Sequence, residues 1–394
     1  MPKRWTTPSS GSCNNTHNTY PLSLSSISSL MSLSSAVNQI LIISNCRFGD
    51  SLVMMPALQQ LKASFPQASI CLLSERDANG AVSADQILGG RGLVDEFEAL
   101  PMTGGKMGRL VSRLRLMFKL RRRAFDLGVV LMPPYPPLTM TLVKRFTLYL
   151  KLFGVKRIIA PTEILDFNEK HLNVVDATLQ VLSPLNLPLS PPNHAPYSLP
   201  PLQNSAEAQK EADAIIASAP KGFYRLAIAL GTNMPAKQWP LDNFAIVLKR
   251  LCAETSVWPF FFGGATDEKI ASNLMGNGIC GTLVTGRPLS VAAAVMSRCD
   301  GYFGHDTGVM HLAAALAKPC VALFSSRDPA GMWDPYGKGH TILRINGLPC
   351  ANCGAVVCPK NDHPCMKQSP EDVFTAVKSL IQSTTFDKSE KLKP

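Results

Sequence analysis

Three short polar motifs carry residue types that could bind an anion and move a proton. The first is RFGD at residues 47–50, where Gly49 allows a tight turn after Arg47 and Asp50 supplies a carboxylate. Asp50 stands at the start of a helical pattern, where a carboxylate either caps the helix or takes a proton from a bound molecule. One glycine does not make the G-x-G-x-x-G fingerprint, so the motif disfavours a nicotinamide dehydrogenase.

The second motif is GHDTGVMH at residues 304–311, between a short apolar run and an alanine-rich helical pattern. Asp306 or Thr307 would cap this helix, and the free amides that follow, from Gly308 on, would form a diphosphate site. His311, one turn further on, either donates to a phosphate oxygen, lines a sugar pocket, or is an ordinary structural histidine.

The third motif is LGTNMPAKQWP at residues 230–240, after the first apolar run of the second half. Thr232, Asn233 and Lys237 are expected on a loop at the edge of a sheet, where Lys237 would present a point charge to phosphate. The alternative is a solvated lysine beside a packed Trp239.

These motifs must be positioned by strands and helices, and the hydrophobic pattern predicts both in alternation, as in doubly wound sheets. Strands are predicted at residues 38–44, 69–74, 127–132, 157–160, 225–230, 258–262, 301–303 and 320–324. Helices are predicted at residues 51–64, 106–123, 138–153, 206–217, 241–254, 267–275, 289–298, 307–317 and 370–382. Ligands of open α/β sheets bind at the carboxyl ends of the strands, so a cleft between two such halves is expected to hold the site.

A proline-rich stretch divides the chain, with seven prolines between Pro184 and Pro201. It predicts a semi-rigid linker at residues 184–203 between domains at 37–183 and 204–369, with a C-terminal helix and tail at 370–394. Residues 1–36 are rich in Ser, Thr and Asn and contain no acidic residue, so we expect a disordered tail. Met31 is an alternative start.

In this order the three motifs resemble glycosyltransferase family nine, the ADP-heptose:lipopolysaccharide heptosyltransferases. The phrase WDPYG at residues 333–337 adds to the resemblance, which runs from about Gln39 to about Val377. It implies an α/β GT-B fold of two Rossmann-like domains with an interdomain cleft. It also implies an inverting transfer that needs no metal or other catalytic cofactor, with Asp50 as the base.

The resemblance also implies roles for the other motif residues. Arg47 and Gly49 would form the acceptor-side loop, and eight residues would hold the donor: Thr232, Asn233, Lys237, Glu268, Asp306, Thr307, Gly308 and His311. Glu268, expected on the loop after residues 262–264, would bind the nucleotide ribose. The implied donor is ADP-heptose and the implied acceptor is lipopolysaccharide core. A protein or O-antigen acceptor, or another nucleotide sugar, is the alternative.

A basic helical pattern at residues 106–123 surrounds an apolar stripe with lysine and arginine, within a chain of net charge +11. Either the stripe packs on the sheet, or the helix contacts a phosphorylated, membrane-anchored acceptor or anionic headgroups. Aromatic residues do not interleave these charges, so no nucleic acid is expected. A metal-dependent nucleic-acid-binding protein is a remote alternative.

Four cysteines, Cys350, Cys353, Cys358 and Cys365, lie within 16 residues at metal-ligand spacing. A structural zinc or iron site is predicted, with free thiols or disulfides as alternatives. No run of about 18 apolar residues indicates a transmembrane helix. We therefore expect a cytoplasmic protein, with peripheral contact to the anionic inner face of the inner membrane as a further expectation.

Overall fold

The computed structural model describes residues 37–45, 47–75, 83–101, 105–133, 140–167, 172–187 and 206–391, with side chains to residue 383 except that of Glu75. The predicted tail at 1–36 lies outside the described residues, as does most of the proline-rich linker. Within the described residues no helix is long and apolar enough to cross a membrane.

The first half of the chain forms a five-stranded sheet in the order β3-β2-β1-β4-β5, in which every pairing is parallel. Its strands are β1 Gln39–Ser44, β2 Ser69–Glu75, β3 Glu96–Leu100, β4 Leu127–Val130 and β5 Arg157–Ile159. Its helices are α1 Phe48–Val53, α2 Met55–Ser64, α3 Ala84–Leu88, α4 Lys106–Arg121, α5 Met140–Leu152 and α6 Val174–Gln180. The central strands are apolar and buried on both faces, as parallel sheets covered by helices require.

The second half forms a six-stranded parallel sheet in the order β11-β10-β9-β6-β7-β8. Its strands are β6 Tyr224–Ala229, β7 Val257–Phe262, β8 Thr282–Leu283, β9 Gly301–His305, β10 Cys320–Phe324 and β11 Thr341–Arg344. Its helices are α7 Ala206–Ile216, α8 Leu241–Glu254, α9 Ala265–Gly276, α10 Leu289–Arg298, α11 Gly308–Ala315 and α12 Pro370–Lys391.

Both sheets reverse their strand order at one point, between β1 and β4 in the first and between β6 and β9 in the second. Loops that leave adjacent strands in opposite directions open a crevice there, which is where ligands of such folds bind. The three polar motifs follow β1, β6 and β9, so the topology brings all three to these two crevices. The two parallel sheets confirm the predicted α/β GT-B fold.

Contacts from α6 tie the two halves together. Asn173 accepts a hydrogen bond from the backbone N of Val175 at 2.9 Å, which caps α6. Its amide group also donates to the carbonyl oxygens of Gly331 at 3.2 Å and Asp334 at 2.9 Å, in the other half. The hydroxyl of Tyr336 donates to Asp176 at 2.8 Å. The WDPYG segment therefore fastens the second half to the first.

The structure differs from the predicted elements where local chain chemistry interrupts a pattern. The helix predicted at residues 51–64 is two helices, because Pro56 has no N–H to continue the hydrogen bonding of α1. α1 also starts earlier than predicted, so Asp50 lies within its first turn. Strands β3, β8 and β11 and helices α3 and α6 were not predicted, since they are short and carry weak periodicity.

Candidate active site

Asp50 lies in the first turn of α1, directly after β1. Its carboxylate accepts a hydrogen bond from the backbone N of Arg47 at 3.3 Å, so it does cap the helix. The side chain is half-buried, whereas Arg47 is exposed. The helix-capping role and a role in chemistry are compatible, because one carboxylate oxygen bonded to the backbone leaves the other free.

The surroundings of Asp50 raise its pKa to about 6, mainly because burial disfavours the charged carboxylate. The backbone N–H and the charge of Arg47, together with the charge of Lys237, oppose this rise. The Asp50 side chain keeps some exposure to solvent, although residues from both halves of the molecule lie near it. A carboxyl with a pKa near 6 can act as a general base at neutral pH.

The start of α11 lies against the Asp50 loop. Thr307 is the extended N-cap residue and Gly308 is the first helical residue. The ring of Phe48 packs so closely on Gly308 that a Cβ there would clash with it. The Cδ2 atom of His311 lies 3.5 Å from the position a Cβ on Gly49 would take. The first and second motifs therefore meet across the two halves, as the sequence predicted.

His311 is buried at this contact, and its ring lies edge-on to Trp333 with 6.0 Å between ring centroids. Burial lowers the pKa of His311 to about 4, and the charge of Lys237 acts in the same direction. The imidazole is therefore neutral at physiological pH. It can donate one hydrogen bond, but it adds no positive charge to the site.

Lys237 is held by carboxylates and is not the solvated lysine considered from the sequence. It ends a short 3-10 turn, Pro235–Lys237, and its Nζ lies 2.6 Å from Asp306 and 3.9 Å from Asp328. Arg327 in turn donates to Asp328 at 2.6 Å. Burial raises the pKa of Asp328, while the charges of Lys237 and Arg327 lower it. Asp306 thus positions Lys237 and does not cap α11.

Arg327 and Asp328 were missed by the sequence reasoning. They follow β10 directly, at the same carboxyl edge as the three motifs, and that position is the signal that could have found them. Their presence makes the site a network of alternating charges and not a simple cationic pocket.

The remaining predicted donor residues lie at the ends of β6 and β7. Thr232 accepts a hydrogen bond from the backbone N of Met234 at 3.2 Å, and Asn233 is exposed. Glu268 lies in the first turn of α9 and not on the preceding loop, because α9 begins at Ala265. Its carboxylate is exposed, 3.3 Å from where a Cβ on Gly286 would lie.

Asp267 precedes Glu268 in the sequence, but its carboxylate lies against the loop that follows β6. It accepts from the backbone N of Gly264 at 2.8 Å and caps α9. It lies so close to Gly231 that a Cβ at residue 231 would clash with its carboxylate. Burial raises the pKa of Asp267. This carboxylate, and not only that of Glu268, therefore shapes the second crevice.

Trp239 and His305 fix the Lys237 loop to the sheet. The backbone N of Trp239 donates to Nε2 of His305 at 2.9 Å, and its indole N donates to the carbonyl of Gln368 at 3.1 Å. Burial lowers the pKa of His305 to about 3, which keeps the ring neutral as this acceptor role requires. Lys237 is therefore placed on a rigid support.

The cysteine segment lies against the same loop. Val356 accepts from the backbone N of Ala236 at 3.0 Å, and Asn352 donates to the carbonyl of Ser326 at 2.7 Å. Arg327 also donates to the carbonyls of Ala355 at 2.7 Å and Gly354 at 2.6 Å. The segment thus covers the loops that carry Lys237 and Asp328.

The four clustered cysteines are free thiols in the structure, with Cys353 exposed and Cys365 buried. Among the described residues, which include all four, no three His, Cys, Asp or Glu side chains are grouped closely enough to hold a metal ion. The arrangement as it stands does not form a metal site, and the metal stays a prediction from the spacing.

This arrangement can remove a proton on one side and hold an anion on the other. The carboxylate of Asp50 can accept a proton, and the first amides of α11 together with the ammonium group of Lys237 can face an anion. Two hollows lie elsewhere: a cavity of about 170 Å³ beside Ser326 and Arg344, and a groove of about 580 Å³ along α5. Neither contains Asp50 or Lys237 in its lining.

Comparison with known proteins gives consistent matches. The model of glycosyltransferase family 9 (heptosyltransferase) matches residues 113–363, more than half of the chain. Lipooligosaccharide heptosyltransferase 2 of Haemophilus ducreyi is 25% identical over 324 residues, 78% of this chain and 88% of that relative. Lipopolysaccharide heptosyltransferase 2 of Salmonella typhimurium is 29% identical over 119 residues, 29% of this chain, and this match spans only 34% of that relative's length.

A solved structure has the same fold. The E. coli ADP-heptose LPS heptosyltransferase II structure superposes with a TM-score of 0.63 at 20% identity, covering 88% of this chain and 99% of that chain. At this level of identity the likeness concerns the arrangement of the two sheets and their helices.

Proposed function

Because this chain belongs to glycosyltransferase family 9, the heptosyltransferases, we propose that it transfers heptose from ADP-heptose to the core of lipopolysaccharide. The observation that carries the proposal is the position of Asp50, a carboxyl with a pKa of about 6 that lies within electrostatic range of Lys237. It belongs to the loop whose Phe48 and Gly49 pack against the start of α11. The proposed base and the proposed anion site belong to opposite halves, so the two substrates would meet between them. We place the reaction in the cytoplasm, at the inner face of the inner membrane.

In the proposed reaction Asp50 accepts the proton of an acceptor hydroxyl. The hydroxyl oxygen attacks the anomeric carbon of the donor, and the bond from that carbon to the diphosphate oxygen breaks. The nucleoside diphosphate leaves on the face opposite the new bond, so the anomeric configuration inverts. One base suffices for this step, because a single displacement needs one proton removed.

The leaving diphosphate would lie at the start of α11. The N–H groups from Gly308 on face it with the positive end of the helix, and Lys237 adds a charge held in place by Asp306. His311 donates a neutral hydrogen bond. These groups would provide the charge stabilisation that a divalent cation supplies in other transferases, so we propose a transfer without metal.

The remaining predicted residues would serve the two substrates at the edges of the site. Thr232 and Asn233 would contact the donor phosphates, and Glu268 the ribose, since its exposed carboxylate stands beside the end of β8. Arg47 is exposed beside Asp50, where it would meet an anionic acceptor. Because Phe48 closes on Gly308, the donor would enter when the halves move apart.

Replacing Asp50 with Asn tests the assignment. The amide keeps the shape but cannot accept the proton, so turnover should fall by about 100-fold or more while donor binding stays within a few-fold. Asp85→Asn, at the start of α3, is the matched control and should leave turnover unchanged. Turnover of the Asp50→Asn protein at the unsubstituted rate would refute the assignment.

A screen of nucleotide sugars tests the donor. The purified enzyme is offered ADP-, GDP- and UDP-sugars with truncated lipopolysaccharide, and product is followed by mass spectrometry. Transfer from ADP-heptose alone is expected. Efficient transfer from another donor, or to a protein or O-antigen acceptor only, would replace the substrate part of the proposal.

We also propose a structural zinc or iron at Cys350, Cys353, Cys358 and Cys365, on the strength of their spacing alone. Elemental analysis of the purified chain should give one metal ion per chain, and Cys353→Ser should lose it. Metal-free protein with normal stability would leave these residues as free thiols.

A further inference from the structure

The outer side of α4 exposes several large apolar side chains, whereas the outer side of a solvated helix is normally polar. Met107 is 73% exposed, Phe118 58% and Leu110 52%, and Val111 and Leu114 are exposed as well. The side of α4 that packs on the sheet is supplied by other residues, Leu116 and Leu120. Of the predicted apolar stripe, Met117 packs partly buried on the core of the first sheet, whereas the other five side chains face outward.

α5 continues this surface. Its inner side is buried through Val143, Phe146 and Leu150, while Leu148 and Leu152 are 53% and 44% exposed. Both helices cover the same side of the first sheet, because Leu116 and Leu120 share one core cluster with those α5 residues. We call the outward sides of the two helices the α4–α5 face.

Positive charge accompanies the apolar side chains on this face. Neither helix contains an aspartate or a glutamate. The basic residues of the two helices are Lys106, Arg109, Arg113, Arg115, Lys119, Arg121, Lys144, Arg145 and Lys151. Lys119 pairs with Glu98, and Arg113 and Arg121 bond to backbone carbonyls, so this part of the charge is anchored to the body of the protein.

A groove of about 580 Å³ borders the face. The groove is lined by Lys144, Thr147 and Lys151 of α5 and by Thr162, which follows β5. Leu148 lines the groove and also belongs to the α4–α5 face. Cationic and hydroxyl groups can bind the phosphate headgroup of a lipid, and the neighbouring apolar side chains can contact the acyl chains of the same lipid.

The charge decides which occupant fits this face. A second copy of the chain would, in a twofold interface, place the same basic residues against each other. Nucleic acid would find few aromatic rings for stacking, since Phe118 is the only aromatic among the exposed apolar residues described on this face. A bilayer with anionic headgroups satisfies both features, because apolar side chains enter the headgroup boundary while lysine and arginine remain among the phosphates.

We propose that the α4–α5 face docks this protein on an anionic lipid bilayer. The face lies on the side of the first sheet opposite α1 and α2, so docking would leave the Asp50 loop uncovered. The proposal does not depend on the donor or on the transfer reaction.

The test is co-sedimentation of the full chain with vesicles of phosphatidylcholine, with or without phosphatidylglycerol. Binding is expected only with phosphatidylglycerol and should weaken as salt rises. The variant Arg109→Gln/Arg115→Gln/Lys144→Gln should lose roughly 100-fold in affinity or more, because each cation contributes near a charged surface. The variant Leu110→Ser/Leu114→Ser/Phe118→Ser should lose at least about tenfold, because apolar insertion is lost.

The matched control is Ile246→Ser/Lys249→Gln, which removes an exposed apolar side chain and a cation from α8 in the other half. It should bind vesicles as the unsubstituted chain does. Circular dichroism checks that each variant is folded, which is expected because all substituted residues are at least partly exposed. Equal binding to both vesicle types would overturn the proposal. A second result would also overturn it. If the unsubstituted chain is a dimer in solution, and Leu110→Ser/Leu114→Ser/Phe118→Ser is a monomer that binds vesicles normally, the face joins two copies.

Discussion

At the scale of single residues, the site depends on how burial sets the charge of a few side chains. Asp50 has a pKa of about 6 and is the proposed base, so kcat/KM should fall as the pH drops through 6. Below that pH the carboxyl is protonated and cannot accept the acceptor's proton, which costs about tenfold per pH unit.

The pH profile of kcat/KM checks this, and Lys237→Met supplies a second readout. The charge of Lys237 lowers the pKa of Asp50, so its removal should move the acidic limb to higher pH. A profile that stays flat down to pH 5 would show that a different group takes the proton.

Lys237 and Asp306 form a buried pair, with side chains 11% and 5% exposed. Lys237→Met leaves Asp306 with a buried charge that has lost its nearest partner, so the free energy of unfolding should fall by about 3 kcal/mol. The double variant Lys237→Met/Asp306→Asn should recover part of the loss. Lys367→Met breaks an exposed pair with Asp362 and should change little in the same denaturant titration.

At the scale of elements, the contact between α1 and α11 sets the spacing of the two halves. Gly308→Ala places a methyl group into the ring of Phe48 and should lower the free energy of unfolding by about 1–3 kcal/mol. Adding Phe48→Ala should relieve part of this cost. Gly276→Ala, at the end of α9, adds a Cβ with no atom within 4 Å apart from its chain neighbours and its own helix backbone, so it should be neutral or slightly stabilising. A tolerated Gly308→Ala would mean that the two helices can move apart at little cost.

At the scale of the whole molecule, α6 couples the halves through Asn173. Asn173→Ala removes a helix cap and two hydrogen bonds to the other half, so the free energy of unfolding should fall by about 2 kcal/mol. Asn173→Asp keeps the cap acceptor but loses both donors. It should therefore speed hydrogen exchange at residues 331–336 with less effect on α6. Unchanged exchange there would show that the other contacts, including the hydrogen bond from Tyr336 to Asp176, hold the halves without Asn173.

The sequence alone determined the parts that local rules govern. Strands such as β1 and β6 are apolar runs of the length that buried parallel strands need, and their alternation with helices predicts two doubly wound sheets. Because the carboxyl ends of parallel strands carry the ligand sites, the same reasoning predicted that Asp50, Lys237 and Thr307 line the cleft between the two halves.

Only the tertiary structure decided how these residues interact. Sequence spacing cannot report that Asp306 binds Lys237 across 69 positions, or that burial leaves His311 neutral. Nor could it orient α4, since a helix with one apolar stripe is expected to turn that stripe inward. Here Leu116 and Leu120 fill the inner side with help from Met117, and the rest of the stripe faces outward, because the position of a helix on a sheet is fixed by all of its neighbours together.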